Sequence, residues 1–373
     1  MIFLLLLALA VWAAVFIYID HFISAPHMGD FYDDSIFQDS VAVLVVGRNE
    51  ALNLKHCFSA ISNSKGFARP VQLHYVDDHS TDSSVQVIRE LQVELPQLEI
   101  SFYTNEGKGK KKAIAQVLSK IEADWIFFTD ADCEINQFHL KRMISIAKAH
   151  DVATVFGPVS FIGKSFFSRL MQYENLNTQC VTEAFLGRGK PLMANAANML
   201  ISNEMKDRYL QSQRFEFPSG DDVFYAQSLS TNEYSWRYQT DAMVKTTGPE
   251  SIQAFFHQRL RWVSKMTAYR SIEHVAFSFS VGFVSLVSSF VFIRVFGGQS
   301  FLNTWFLFLI VKWLIEFNSH RVWFRKYNFN PRFVESLIMA VFYPFYILLF
   351  GVLALLPIKY RWKGRSLTAK TVS

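Results

Sequence analysis

Cysteine is scarce in this 373-residue sequence, where Cys57, Cys133 and Cys180 are the whole set. An odd count without paired spacing excludes a disulfide framework and a zinc motif. It fits a reducing compartment such as the cytoplasm. Charge is scarce as well: charged residues make up 18%, against roughly a quarter in ordinary soluble domains, so part of the chain belongs in an apolar setting. The formal net charge of +5 is modest and much of it sits beside apolar stretches. Anionic lipid accounts for that better than nucleic acid. No internal repeat and no low-complexity linker is present. The Gly-x4-Gly-Lys-Ser/Thr spacing is also missing, which excludes a P-loop nucleotide site.

What the sequence has in excess is apolar residues, and they sit at its two ends. Ile2 to Ile19 carries no charge and is long enough to cross a bilayer as a helix. Nothing basic precedes it, so an uncleaved anchor over residues 1–22 is expected rather than a signal peptide. Val275–Ile293, Phe301–Phe317 and Ser336–Leu356 form a second apolar region within 274–358; Lys312 and Glu316 make the middle stretch the weakest span. Basic residues flank these stretches: Arg259, Arg261, Lys265 and Arg270 before the first, Arg321, Arg325, Lys326 and Arg332 before the third, and Lys359, Arg361, Lys363, Arg365 and Lys370 in a tail over 359–373. Basic flanks favour the cytoplasmic side. Three full crossings would send the tail to the other side, and Pro344 within the last stretch allows a kinked or re-entrant course. The expectation is an integral membrane protein, of the bacterial inner membrane, with its central domain cytoplasmic.

Between the ends, residues 41–270 read as an α/β domain. Short apolar runs at Val41–Val46, Val71–Val76, Leu98–Tyr103 and Trp125–Thr129 predict strands. Helical stretches over Glu50–Ser62, from Ser80 or Thr81 to Glu94, and over Lys111–Glu122 alternate with them. That alternation predicts a Rossmann-like, mostly parallel sheet with helices on both faces. Ligands then bind beyond the carboxyl ends of the strands. Those ends carry Gly47-Arg48-Asn49-Glu50, Asp77-Asp78, Asn105–Lys112 and Asp130-Ala131-Asp132.

Asp130 and Asp132 leave a strand two residues apart, so their carboxylates point the same way and suit Mg²⁺ or Mn²⁺. Asp77 and Asp78 can accept from a base N–H or ribose hydroxyls, while Ser80, Thr81 and Asp82 suit a helix cap. Lys110, in the Gly107–Lys112 run opening a helix, can meet a diphosphate. Asp221 and Asp222 offer a general base, or simply the acidic first turn of a helix. Gln258, Arg261 and Trp262 share a helix face at i, i+3 and i+4; they suit a phosphate and a sugar, or a membrane interface.

The order of these motifs is more specific than any one of them. Val43–Glu50, Asp77–Asp82, Gly109-Lys110, Asp130-Ala131-Asp132, Gly220-Asp221-Asp222 and Gln258-Arg259-Leu260-Arg261-Trp262 together resemble membrane-bound glycosyltransferases of family 2, over about residues 41–265. The resemblance implies a GT-A nucleotide-diphospho-sugar transferase domain with N- and C-terminal transmembrane helices. It implies an inverting, metal-dependent hexosyl transfer from a nucleotide-sugar, with UDP as the expected carrier, to a lipid or lipid-linked acceptor. It places Asn49, Glu50, Asp77 and Asp78 at the nucleoside, Lys110 and Asp130 at the diphosphate, Asp130 and Asp132 at the metal, and Asp221-Asp222 at the catalytic base with Asp222 as the acceptor of the proton. Gln258, Arg261 and Trp262 would close the site. His79 departs from the Gly or Asn the family often has there. Tyr360–Arg365 is similar to the tails of ceramide-glucosyltransferase-like lipid enzymes. A processive polysaccharide synthase shares these motifs, and a membrane-tethered nucleotide-binding protein without activity is the reading from another class. Few spans favour transfer of one sugar. Phe166–Leu186 is amphipathic and suits either core packing or a place near the bilayer.

Overall fold

The computed structural model describes residues 2–23, 35–229, 236–238, 242–265, 268, 271–297, 304–356 and 358–367. Arg270, Phe301 and Lys370, named above, lie outside them, as does the side chain of Trp362. The strands are β1 Val41–Gly47, β2 Gln72–Asp77, β3 Glu99–Thr104, β4 Trp125–Asp130, β5 Cys133–Glu134, β6 Thr154–Phe156, β7 Val159–Ile162, β8 Met199–Ser202, β9 Trp236–Tyr238, β10 Val244–Thr247, β11 Tyr360–Trp362 and β12 Arg365–Leu367. The helices are α1 Ile2–Phe22, α2 Ala51–Ser62, α3 Ser84–Glu94, α4 Lys110–Leu118, α5 His139–Ala149, α6 Phe166–Gly187, α7 Lys206–Gln211, α8 Asp221–Ser228, α9 Ile252–Val263, α10 Ile272–Phe296, α11 Thr304–Trp323 and α12 Phe333–Ala354.

The main sheet runs β3-β2-β1-β4-β8-β6-β9. The first four strands in this order are parallel, as the strand–helix alternation requires, and β8 is antiparallel to both β4 and β6. Every residue of β1 is buried, which is why it reads as an unbroken apolar run. The register sets the site: Gly47 lies opposite Asp77, and Val46 opposite Asp130. Three strand ends therefore finish level, and the polar residues that follow them converge. A second sheet, β5-β10-β7, adjoins this edge.

Local details depart from the sequence reading. Helix α4 stops at Leu118 rather than Glu122, because the chain turns to bury Ile121 under the sheet. Neither Ser80 nor Thr81 caps α3. Ser83 holds the N-cap position without a side-chain cap, and Asp82 before it accepts the Ser84 N–H at 3.0 Å, while Ser80 Oγ accepts the Asn49 N–H at 2.9 Å and the Thr81 N–H donates to Asn49 Oδ1 at 2.8 Å. His79 keeps the turn, with φ of 59°; histidine is one of the few non-glycine residues enriched in that region.

Among the described residues three helices are long and apolar enough to cross a membrane, α1, α10 and α12, and Pro344 lies within the 22-residue course of α12. Large apolar side chains such as Phe3, Leu6, Phe279, Leu286 and Val352 face outward, the pattern of a lipid-facing surface. Helix α11 turns its charges inward: Lys312 and Glu316 are buried and paired at 2.5 Å, and the Trp12 Nε1–H donates to Glu316 at 3.0 Å. Helix α6 joins the two halves. Tyr173, Leu176, Cys180 and Ala184 pack with Trp12 and Phe16 of α1, Val284 of α10 and Trp323 of α11, whereas Phe166 at its start is exposed.

Candidate active site

Strand β4 carries Asp130 to the sheet edge, and the turn after it brings Asp132 and Cys133 alongside; one ligand atom of each lies within 4.8 Å of the others. The two carboxylates offer hard oxygen donors, the chemistry Mg²⁺ and Mn²⁺ select. Cys133 is no part of such a set. Burial, then the charges of Asp132 and Asp130, push its thiol well up, so it stays protonated. Asp132 opens onto solvent but stands among close-packed protein atoms. That desolvation, with Asp130 and Glu50 nearby, raises its carboxyl to about 6, and Lys363 pulls the other way. Lys110 at the start of α4 donates to Asp130 Oδ1 at 2.6 Å. Burial works against its charge, yet Asp130 and Asp221 outweigh it and raise its pKa. An ammonium thus already offsets part of the negative charge of the acidic pair.

Across the site, Gly220 with φ of 91° starts α8 and sets Asp221 and Asp222 in its first turn. They are not equivalent. Asp221 is buried, and the Tyr209 hydroxyl donates to it at 3.3 Å. Burial would raise its carboxyl, but Lys110, Lys111 and Lys265 together hold it below the usual range. Asp222 is more accessible. It accepts the Val223 N–H at 2.7 Å and the Ala196 N–H at 3.4 Å, and Lys265 Nζ stands 3.7 Å away.

The nucleoside end is built by β1 and β2. Asp77 Oδ2 accepts the Ser80 N–H at 3.0 Å, while its buried Oδ1 has no partner. Asp78 is fully buried; Oδ1 accepts from Asn105 Nδ2 at 2.7 Å and the Gly109 N–H at 3.0 Å. Glu50 Oε2 accepts from Asn53 at 2.8 Å. Asn49, with φ of 55°, holds the β2–α3 turn rather than facing open space.

Gln258, Arg261 and Trp262 do share one side of α9, and all three line a cavity of about 640 Å³. At one end this cavity holds Asp130, Asp132, Asp221 and Asp222; at the other it runs between membrane helices, past Phe16, Phe277, Gly282 and Ile347. Arg259, read from the sequence as a membrane-flanking charge, is buried instead. It pairs with Glu174 of α6, donates to Gln258 Oε1 at 2.6 Å, and stacks over the Trp262 ring at 4.1 Å. Glu174 also accepts from the Tyr346 hydroxyl at 3.3 Å. Nothing local marked this pair, because its members are 85 residues apart in sequence. Arg259→Ala strands a buried carboxylate and is expected to cost about 3–5 kcal/mol, read as a lower melting temperature of the solubilised protein. Changing Glu174→Leu and Arg259→Met together should restore much of it; a double variant as unstable as Arg259→Ala would show that the charge imbalance is not the cause.

The tail lies on the site too. Strands β11 and β12 form a hairpin whose Lys363 Nζ is 3.0 Å from Glu50 Oε1 and whose Arg365 donates to Asp78 Oδ2 at 2.5 Å. These residues were expected at anionic lipid; protein carboxylates hold them instead.

A family model described as glycosyltransferase-like family 2 matches residues 38–265. Glycosyltransferase AglE of Haloferax volcanii is 22% identical over 207 residues, covering 54% of this chain and 65% of the relative. The chain thus spans just under two thirds of that relative's length. Among solved structures, the mannosyltransferase PcManGT from Pyrobaculum calidifontis in complex with GDP-Man and Mn²⁺ superposes with a TM-score of 0.58 at 16% identity, covering 92% of this chain and 99% of that one. S. aureus TarS 1–349 in complex with UDP-GlcNAc gives a TM-score of 0.43 at 14% identity, covering 89% and 97%.

Proposed function

Since the chain belongs to glycosyltransferase-like family 2, and is thus a glycosyltransferase with a GT-A fold, we propose that it moves one sugar from a nucleotide-sugar to a lipid or lipid-linked acceptor at the cytoplasmic membrane face, with inversion. The observation that supports this reading is the single cavity joining the Asp130–Asp132 pair and Asp222 to a wall of membrane helices. A soluble acceptor needs no such arm; a lipid does. The apolar lining would hold the acyl or prenyl part, and the polar end would hold the acceptor hydroxyl beside Asp222.

Each group has a place in the chemistry. Asp222 takes the proton as the acceptor oxygen bonds to the anomeric carbon, and the bond to the diphosphate breaks on the opposite face. One base and one good leaving group suffice, so no covalent intermediate is required. A divalent ion held by Asp130 and Asp132 would act as a Lewis acid on the leaving diphosphate. Lys110 and Arg261 add positive charge on the protein's side, and Trp262 offers a flat face to a sugar ring. Asp77, Asp78 and the Asn49-Glu50 turn are assigned to the nucleoside.

Incubating membranes that contain the protein with a panel of labelled nucleotide-sugars, then separating lipid-extractable from polymeric product, tests the reading. Label in one glycolipid band, lost on chelation, is expected; a long polymer would overturn single transfer. The acceptor arm has its own test. A side chain added at Gly282 meets open space, so Gly282→Trp should fill the arm, abolish most lipid transfer and leave nucleotide affinity intact. Undiminished transfer would place the acceptor elsewhere.

A further inference from the structure

The cavity reaches the metal pair and Asp222 but stops short of the nucleoside end: neither Asp78 nor Glu50 lines it. What closes that end is the β11–β12 hairpin. Arg365 donates to Asp78 Oδ2 at 2.5 Å and to the Asp78 carbonyl at 2.9 Å. Lys363 pairs with Glu50 at 3.0 Å. Arg48 ties the two together, donating to the Lys363 carbonyl at 3.1 Å and the Asp78 carbonyl at 2.9 Å. The hairpin turn is Lys363-Gly364, both with positive φ, 46° and 81°, as in the tight two-residue turns that fit strand twist. Lysine is a costly choice there compared with asparagine. What it supplies is a charge at the hairpin tip, facing Glu50. On β2, the strand that leads to Asp78, Asp77 Oδ1 and the Tyr75 hydroxyl are buried without partners, and buried polar groups of that kind ordinarily meet a ligand, water or protein.

We propose that the 360–367 hairpin is a latch on the donor site: Arg365 occupies the Asp78 carboxylate, and a nucleotide binds by displacing it. The proposal rests on the assignment of Asp78 to the nucleoside. Asp78 has roughly four acceptor positions, and two are filled by Asn105 and Gly109 within the domain. Arg365 takes a third and, with Lys363 and Arg48, covers the way in. Nucleotide and latch then exclude one another. By linkage, the latch weakens nucleotide binding by the same factor that nucleotide weakens the latch.

The test uses the full chain in detergent with Mn²⁺, and UDP and GDP as probes. Affinity is measured by calorimetry, and exposure of the tail by the rate of tryptic cleavage at Lys363 and Arg365. Arg365→Ala is expected to tighten binding of the preferred nucleotide roughly tenfold, and nucleotide should speed tail cleavage in the unaltered protein. Lys363→Gln, which removes the second anchor, should shift affinity in the same direction if Arg365→Ala fails to fold. Weaker or unchanged binding in these variants, or protection of the tail by nucleotide, would overturn the latch and make the hairpin a fixed wall of the site. Asp78→Asn separates the two layers. If it leaves nucleotide affinity unchanged, the nucleoside assignment itself fails; if it weakens affinity while Arg365→Ala does not tighten it, only the latch fails.

Discussion

Asparagine at position 222 is expected to lower turnover by roughly 10²–10⁴-fold with donor affinity unchanged. The substitution keeps size and keeps an oxygen to accept the Val223 N–H, now 2.7 Å from the carboxylate; it removes the ability to take a proton. The surroundings leave the carboxylate reachable. Lys265 at 3.7 Å supports the charge without capping it, and the side chain opens onto the cavity. Asp221 lacks that freedom. It is buried beneath Tyr209 and ringed by Lys110, Lys111 and Lys265, so Asp221→Asn should disturb folding or donor charge balance before it disturbs proton transfer. Kinetics on both variants, with nucleotide binding measured separately, decides the matter. Loss of donor binding in Asp222→Asn would move that residue to a structural role.

Asp132→Ala should remove activity almost wholly. A Lewis acid at the leaving group is worth several kcal/mol, so loss on the order of a thousandfold or more follows. The same variant should lose Mn²⁺ affinity, followed by the electron paramagnetic resonance of the free ion. Its packing cost should be small, because Asp132 is open to solvent and its side chain meets the Cys133 thiol only at 3.8 Å. Normal turnover by Asp132→Ala in the presence of a chelator would sink the metal assignment. Cys133→Ala is the matched control. Its protonated thiol belongs to the apolar core, and its replacement should leave metal affinity alone.

The parts legible in the sequence are those that physics writes locally. Strands β1, β2 and β4 are buried on both faces, so their residues form short continuous apolar runs, and the polar residues that follow them had to collect at one edge. Asp130 and Asp132 were placed at that edge for this reason, whereas Asp222, in the first turn of α8, was singled out only by the order of motifs that carries the family resemblance. The second sheet was not, because β5, β7 and β10 are two to four residues long and carry no period. The Arg259–Glu174 pair was hidden by sequence distance. The hairpin left a faint signal, a Lys-Gly pair between short strands, but nothing nearby named Glu50 and Asp78 as its targets. Charge beside an apolar span looked like a lipid anchor; the fold spends it on carboxylates.

The hairpin also counts membrane crossings. Glu50 and Asp78 follow the ends of β1 and β2 in the main sheet, and Lys363 and Arg365 touch them, so the chain before α10 and the chain after α12 meet on one side of these helices. Between them the number of complete passages must be even. Three successive complete passages by α10, α11 and α12 would not fit that contact, and among the described residues α10 and α12 are the two of these helices long and apolar enough to cross.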